Sequence, residues 1–267
     1  MAYVEVARPH DTVAVVTLNR PERMNAMSFD VMVPFRDALL EVGADTRVRA
    51  VVVTGAGKGF CSGADQESAG VPPGLEGLPP PAYALRAMQL LEDVVLTIRR
   101  LPQPVVAAVN GAAIGGGLCL ALACDLRLAA PTAYFRAAGI NNGLTASELG
   151  LSFLLPRAIG STRAAELMLT GRDLGAEEAE RVGLVSSLHD EVVAAAVETG
   201  ARIARFSQPG IELTKKSLQA GMAASSLEAH LTSEGLGQLY LRLLTDNFEE
   251  ATLARKEGRE PEFRDRR

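Results

Sequence analysis

The sequence contains no tryptophan, and aromatic residues account for only 4% of its 267 positions. Proteins that bind single-stranded nucleic acid stack the bases on aromatic side chains, and this chain has few of them. The formal net charge of −5 also disfavours general attraction to phosphate backbones. Together these features predict that the protein has no nucleic-acid partner.

Cysteine is also scarce: Cys61, Cys119 and Cys124 are the three residues of this type, and none forms a C-x-x-C pair. This pattern argues against a disulfide framework and against a zinc site. The N-terminus lacks the basic segment and apolar core that define a signal peptide. We therefore expect a reduced, cytoplasmic protein without a bound metal.

Charged residues are absent from residues 104–124, a stretch long enough to cross a membrane. Asn110 and the three consecutive glycines at 115–117 make this stretch a poor membrane helix. A buried strand followed by a buried helix explains its composition better. We expect no membrane partner.

Hydrophobic residues make up 48% of the chain, which is enough to build the core of a large domain. Runs rich in β-branched and small apolar residues predict buried strands that alternate with helical segments, at 13–18, 49–54, 105–109 and 126–130. Beyond residue 190 the pattern is helical. We predict an α/β core over residues 1–190 and a helical C-terminal region over 191–267.

The eight residues 110–117, Asn-Gly-Ala-Ala-Ile-Gly-Gly-Gly, join a predicted strand to a predicted helix. Glycines at such a junction let a ligand approach the backbone closely, because no Cβ is in the way. The first N–H groups of a helix lack partners and carry partial positive charge, so they can bind an oxygen that becomes anionic. A tight turn in which glycine serves only packing is the alternative.

A second glycine-rich loop covers residues 55–65, and it departs from the known phosphate and nucleophile motifs. Lys58 is followed by Gly59, which breaks the Walker A pattern, and neither the dinucleotide motif nor a G-x-S-x-G motif around Ser62 is present. If one N–H group from each loop points at the same oxygen, the two loops form an oxyanion hole. Such a hole would stabilise a thioester enolate or a tetrahedral intermediate.

Taken in order, these motifs resemble the enoyl-CoA hydratase/isomerase (crotonase) superfamily over nearly the whole chain. The first matches are Gly-Phe-Cys-Ser-Gly-Ala-Asp at 59–65 and Pro-Val-Val-Ala-Ala-Val-Asn-Gly at 104–111, and further ones lie at 115–117, 123–126, 154–157, 169–171, 176–179, 183–185, 214–216 and 260–264. The resemblance implies a crotonase-like spiral core of ββα repeats with a C-terminal helical trimerisation region. It also implies a homotrimer or homohexamer.

The resemblance implies an acyl-CoA substrate, with coenzyme A as part of the substrate and no separate cofactor. It places the oxyanion-hole N–H groups at Ser62 and Gly116, beside Gly115. It implies further substrate contacts at Arg23, Ala26, Lys58 and Ala64, and at Phe263 and Arg264, which would reach a neighbouring subunit. Asp65 borders this site, and we expect it to be structural, at the start of a helix. Lys215 and Lys216 are expected to be solvated surface residues.

The chain departs from the hydratases of this family at two positions. Those enzymes carry two glutamates that handle a water molecule, and Cys119 and Gly139 stand in their place. A neutral buried thiol cannot do the work of a carboxylate, and glycine has no side chain. Both positions therefore border the predicted acyl site without supplying an acid or a base.

Glu148 is the carboxylate best placed to replace them. The segment Glu148-Leu149-Gly150 resembles one in which some isomerases of the superfamily carry a catalytic aspartate. A carboxylate beside an apolar acyl pocket has a raised pKa, which suits proton transfer at an enolate. The alternative is structural, because Thr145-Ala-Ser-Glu148 also fits a helix capping box.

The sequence thus predicts a hydratase/isomerase family enzyme that acts on acyl-CoA thioesters through an oxyanion-stabilised enolate. Three alternatives stay open: an isomerase with Glu148 as sole acid/base, a non-catalytic acyl-CoA-binding protein, and a hydrolase that attacks the thioester.

Overall fold

The computed structural model describes residues 2–264 and has two β-sheets enclosed by helices. The strands are β1 (Val4–His10), β2 (Val13–Leu18), β3 (Ala50–Gly55), β4 (Gly59–Cys61), β5 (Val105–Val109), β6 (Ala112–Ile114), β7 (Leu126–Ala129), β8 (Tyr134–Arg136), β9 (Leu174–Gly175) and β10 (Ser187–Leu188). The helices are α1 (Phe29–Ala44), α2 (Pro80–Arg100), α3 (Gly116–Ala123), α4 (Leu151–Ile159), α5 (Ser161–Thr170), α6 (Ala176–Arg181), α7 (Val192–Ala204), α8 (Gln208–Gly221), α9 (Leu227–Leu244) and α10 (Asn247–Glu257).

The larger sheet has the strand order β1-β2-β3-β5-β7-β10 and is parallel except for the antiparallel pair β1 and β2. Every residue of β3 and β5 is buried. Parallel strands covered on both faces are built from continuous apolar runs, which is the pattern that predicted them. The α/β class and the four predicted strands of this sheet are confirmed.

The smaller sheet has the order β4-β6-β8-β9, with β4, β6 and β8 parallel. Along the chain, β3, β5 and β7 lie in the larger sheet, and each is followed directly by a strand of the smaller one. This alternation is the spiral of repeats that the resemblance implied. The expectation that a helix starts at Asp65 is wrong, because the loop contains β4 and the next helix, α2, begins only at Pro80. A strand of three residues is too short to show a period of two.

Helices cover both sheets, and the last of them, α10, ends at Glu257. Helix α7 packs on the larger sheet, where a Cβ added to Gly200 would lie 3.2 Å from Ala50 and 3.3 Å from Val13. Helix α9 buries none of its residues within this chain. The boundary at residue 190 stays a prediction. No helix within residues 2–264 combines the length and apolar character needed to span a bilayer.

Helix α8 is tied to the core by Lys215, which is buried. Its Nζ lies 2.8 Å from Asp125 Oδ2 and donates to the Gln103 carbonyl at 2.9 Å. The expectation that Lys215 is a solvated surface residue is therefore wrong. Lys216 does lie at the surface, where it pairs with Glu212.

Candidate active site

The two glycine-rich loops meet at the carboxyl ends of β4 and β6, which are neighbours in the smaller sheet. A Cβ added to Gly63 would lie 2.7 Å from the Ile114 carbonyl oxygen and 3.5 Å from the Gly116 nitrogen. A Cβ on Gly117 would overlap the carbonyl oxygen of Cys61. The glycines are therefore required for the two loops to approach this closely.

Both loops offer backbone N–H groups without a protein acceptor. Gly116 is the first residue of α3, so its N–H has no partner within the helix, and none is found elsewhere in residues 2–264. Met27 pairs with the other loop by donating to the Gly63 carbonyl and accepting from the Asp65 N–H. The N–H of exposed Ala64 therefore points away from Met27, and it has no acceptor in the described chain.

Ser62 does not offer such a group. Its N–H donates to the Met24 carbonyl oxygen at 3.0 Å. The expectation that Ser62 supplies the free N–H is thus corrected to Ala64, two residues later.

Glu148 lies in an irregular segment, and the capping-box alternative fails. Helix α4 begins at Leu151, with Gly150 at its N-cap and no side-chain capping bond. The Thr145 hydroxyl accepts instead from the N–H of Ser147 at 3.0 Å. Since no helix begins at Thr145, Glu148 is not part of a helix cap.

The Glu148 side chain lies beside the first glycine of the 115–117 run. A Cβ on Gly115 would be 3.2 Å from Glu148 Oε1, and Gly115 itself has a φ of +53°. Glu148 is half-buried, and within residues 2–264 its carboxylate has no hydrogen-bond or ion-pair partner. Burial raises the pKa of this carboxyl. An unpaired, partly desolvated carboxylate can accept and return a proton.

The two positions that carry glutamates in hydratases, Cys119 and Gly139, are closely packed in this structure. Cys119 is fully buried, and its Sγ donates to the Glu148 carbonyl oxygen at 3.5 Å. A Cβ on Gly139 would overlap the Thr145 carbonyl oxygen, so no side chain fits at that position. Close packing at Gly139 folds the loop back and brings Glu148 to Gly115.

Asp65 has a fully buried side chain that holds its loop in place. Its carboxylate pairs with Arg20 at 2.7 Å and Arg23 at 3.0 Å, and accepts the N–H groups of Glu67 and Ser68. Burial alone would raise the pKa of Asp65, but these bonds hold it well below its usual range. The predicted structural role fits, although no helix starts here, and the buried side chain leaves no surface for a substrate contact.

The other predicted substrate contacts occupy separate regions. Arg23 and buried Ala26 form a turn just before Met27, the residue that pairs with Ala64, and Lys58 is exposed just before β4 begins. Phe263 and Arg264 follow the last helix, and Arg264 pairs with Glu262. Their roles in binding stay predictions. Leu149, with a φ of +43°, was missed because its sequence carries no sign of a left-handed backbone.

Comparisons with known proteins show the family of this chain. The family model described as enoyl-CoA hydratase/isomerase matches residues 8–266. A protein of Mycobacterium bovis named probable enoyl-CoA hydratase echA12 is 64% identical, over 99% of this chain and 94% of its own length. Its name describes it as a probable hydratase.

Solved structures agree as well. A probable enoyl-CoA hydratase/isomerase from Mycobacterium abscessus has 64% identity and a TM-score of 0.95, and all of each chain is covered. A monofunctional enoyl CoA isomerase from M. smegmatis has 55% identity and a TM-score of 0.74, over 86% of this chain and 99% of its own. Since the family model and these relatives each span most of its length, the chain belongs to the enoyl-CoA hydratase/isomerase family of enzymes.

Proposed function

We propose that this protein is an enoyl-CoA isomerase that moves a double bond between the 3- and 2-positions of an acyl-CoA thioester. The observation that carries the proposal is the single unpaired carboxylate of Glu148 beside Gly115. No second carboxylate stands at positions 119 or 139. The site therefore offers one acid/base group next to two free N–H groups.

The N–H groups of Ala64 and Gly116 bind the thioester oxygen in this proposal. Removing a proton from C2 places negative charge on that oxygen, and fixed N–H donors stabilise the enolate as it forms. Each such donor typically lowers the barrier by roughly 3–4 kcal/mol. Because the donors are backbone groups on packed loops, they need no reorganisation during the reaction.

Glu148 moves the proton. Its carboxylate takes one from C2 of the 3-enoyl thioester, which leaves a dienolate whose charge is delocalised to C4. The resulting carboxylic acid returns the proton at C4, and the double bond forms between C2 and C3. No water, redox step or cofactor is consumed. The raised pKa of Glu148 supports this cycle, because the group must be a base in one half and an acid in the other.

Hydration is the second candidate, since several relatives are named hydratases. It requires a hydroxyl group at C3 and a proton at C2, and hydratases of the family hold the water with two glutamates. Cys119 and Gly139 cannot replace these groups. The M. smegmatis relative is named a monofunctional isomerase, which also favours isomerisation over hydration.

The remaining assignments belong to the same proposal. Arg23, Lys58, Phe263 and Arg264 contact the coenzyme A portion of the substrate. The exposed apolar residues of α9 and α10 form the interface of a homotrimer or homohexamer, which light scattering would detect; they include Leu236, Leu239, Leu243 and Phe248. The buried free cysteines fit a reduced, cytoplasmic setting.

Mass spectrometry in D₂O tests this function. Wild type and Glu148→Gln would each be incubated with a panel of 2- and 3-enoyl-CoA thioesters. Conversion of the 3-enoyl into the 2-enoyl thioester without a water adduct, resolved by chromatography before the mass spectrometer and lost in the variant, is the expected result; deuterium enters the product to the extent that the proton on Glu148 exchanges with solvent. A water adduct would identify a hydratase, release of free coenzyme A a hydrolase, and binding without conversion a non-catalytic acyl-CoA-binding protein.

A further inference from the structure

The backbone next to Glu148 is strained. Leu149 has a φ of +43° and Gly150 a φ of +84°, so two consecutive residues occupy the left-handed region. For a residue with a Cβ this conformation is unfavourable by roughly 1–2 kcal/mol. Such strain persists only where the surroundings enforce it, and it is concentrated at functional sites.

Contacts with α3 and α4 hold this conformation. The Glu148 carbonyl oxygen accepts from the Leu151 N–H of α4 at 2.7 Å and from the Cys119 thiol of α3 at 3.5 Å. The Leu149 side chain packs against the main core, and its Cδ1 lies 3.5 Å from the position of a Cβ on Gly116. The segment is thus attached to the helix that begins with Gly116.

The Cys119 thiol stays protonated, as a donor must. Burial raises its pKa, and the nearby charge of Glu148 raises it further, so that it lies well above the usual range. A neutral S–H group is a weak but directional donor, and the full burial of Cys119 shields it from competition with bulk solvent.

We propose that Cys119 and Leu149 are positioning residues that hold the Glu148 carboxylate at a fixed distance from Gly116. The inference rests on the proposed function, in which Glu148 is the acid/base group. Both residues fasten Glu148 to α3, and α3 also supplies the Gly116 N–H. The base and one oxyanion donor are therefore attached to the same helix. Cys119 holds the base through the backbone carbonyl of Glu148.

Steady-state kinetics with 3-enoyl-CoA thioesters tests this assignment in Cys119→Ala, Cys119→Ser and Leu149→Gly. A displacement of about 1 Å can lower a rate about 100-fold, so we expect kcat to fall about 10- to 100-fold in the alanine and glycine variants. KM should stay within about twofold. Cys119→Ser keeps a donor and should recover most of the activity. In the two impaired variants the acid limb of the pH profile should also move toward the usual carboxyl range, because Glu148 gains access to water.

Different results overturn the two proposals. If Glu148→Gln is inactive but Cys119→Ala and Leu149→Gly retain wild-type kcat and pH profile, the positioning role is wrong and the function stands. A fall in thermal stability without a change in the pH profile or in the ratio of kcat to KM also refutes it. If Glu148→Gln is fully active, or wild type has no turnover, both proposals fail. Should Cys119→Ala not fold, Leu149→Gly and Cys119→Ser decide the question.

Discussion

Replacing Glu148 by glutamine should abolish activity without lowering the stability of the protein. A positioned acid/base group typically contributes about 10²–10⁴-fold to the rate, and here the same group acts in both proton transfers. We therefore expect kcat for isomerisation to fall at least about 10³-fold. Glutamine has nearly the same shape and cannot take the proton.

The stability of the same variant distinguishes a base from a helix cap. Loss of a capping side chain typically costs about 1 kcal/mol, which lowers the Tm of a chain of this size by about 2–4 °C. Glu148 instead has no partner for its charge and is partly desolvated. Glutamine removes that unfavourable charge, so at neutral pH the Tm should be equal to or higher than that of wild type.

The pH dependence of this difference follows from linkage. Folding raises the pKa of Glu148, so the folded protein disfavours the charged form. Below the usual carboxyl pKa the group is protonated in both states and costs nothing. As the pH rises through the raised folded pKa, wild type loses free energy of unfolding relative to the glutamine variant, and the gap in Tm should widen.

Thermal unfolding of wild type and Glu148→Gln between acidic and neutral pH measures this effect. Exposed Glu180 provides the matched control, and Glu180→Gln should change neither the activity nor the pH dependence of Tm. A Glu148→Gln variant that melts several degrees below wild type at neutral pH would refute the reasoning, since it would show that the carboxylate stabilises the fold.

Three further predictions concern other parts of the molecule. Ala64→Pro removes one free N–H group and should lower kcat/KM about 10²–10³-fold in steady-state assays, whereas Ser62→Ala, which keeps its backbone N–H, should stay within about twofold; a kcat/KM of Ala64→Pro within about twofold of wild type would contradict the choice of donor. Lys215→Met leaves Asp125 without its ion-pair partner and should lower the free energy of unfolding in urea by about 3 kcal/mol. This is the low end for buried pairs, because Asp125 is 22% exposed. A loss below about 1 kcal/mol would mean that the pair is solvent-screened. Asp65→Asn should be less stable than wild type at neutral pH. Because folding lowers the pKa of Asp65, this difference in stability should shrink as the pH falls below the usual carboxyl range. A difference in Tm that does not change with pH would exclude this ion-pair role.

Features that depend on short stretches of chain were readable from the sequence. The strands of the larger sheet are continuous apolar runs because both faces are covered, and burial of this kind is encoded residue by residue. Cys119 and Gly139 show directly that two acids are missing, since the chemistry of a side chain needs no fold to be recognised. The glycines at 115–117 likewise predict a close approach of another group to the backbone.

Features that depend on distant partners were decided by the tertiary structure. Ser62 and Ala64 are equally plausible donors in the sequence, and only the pairing with Met24 and Met27, almost 40 residues earlier, determines which N–H is free. The sequence around Lys215 is typical of a surface lysine, and only the fold places its side chain against Asp125. In both cases the partner lies far away in the chain, so no local pattern records it.

The same division holds at Glu148. The sequence by itself determined that a carboxylate is available near a glycine-rich site, and it allowed both a catalytic and a capping role. The choice between them was made by the tertiary structure, because α4 begins only at Leu151 and close packing at Gly139 turns Glu148 toward Gly115. Chemical identity is local, whereas the direction in which a group points is set by long-range packing.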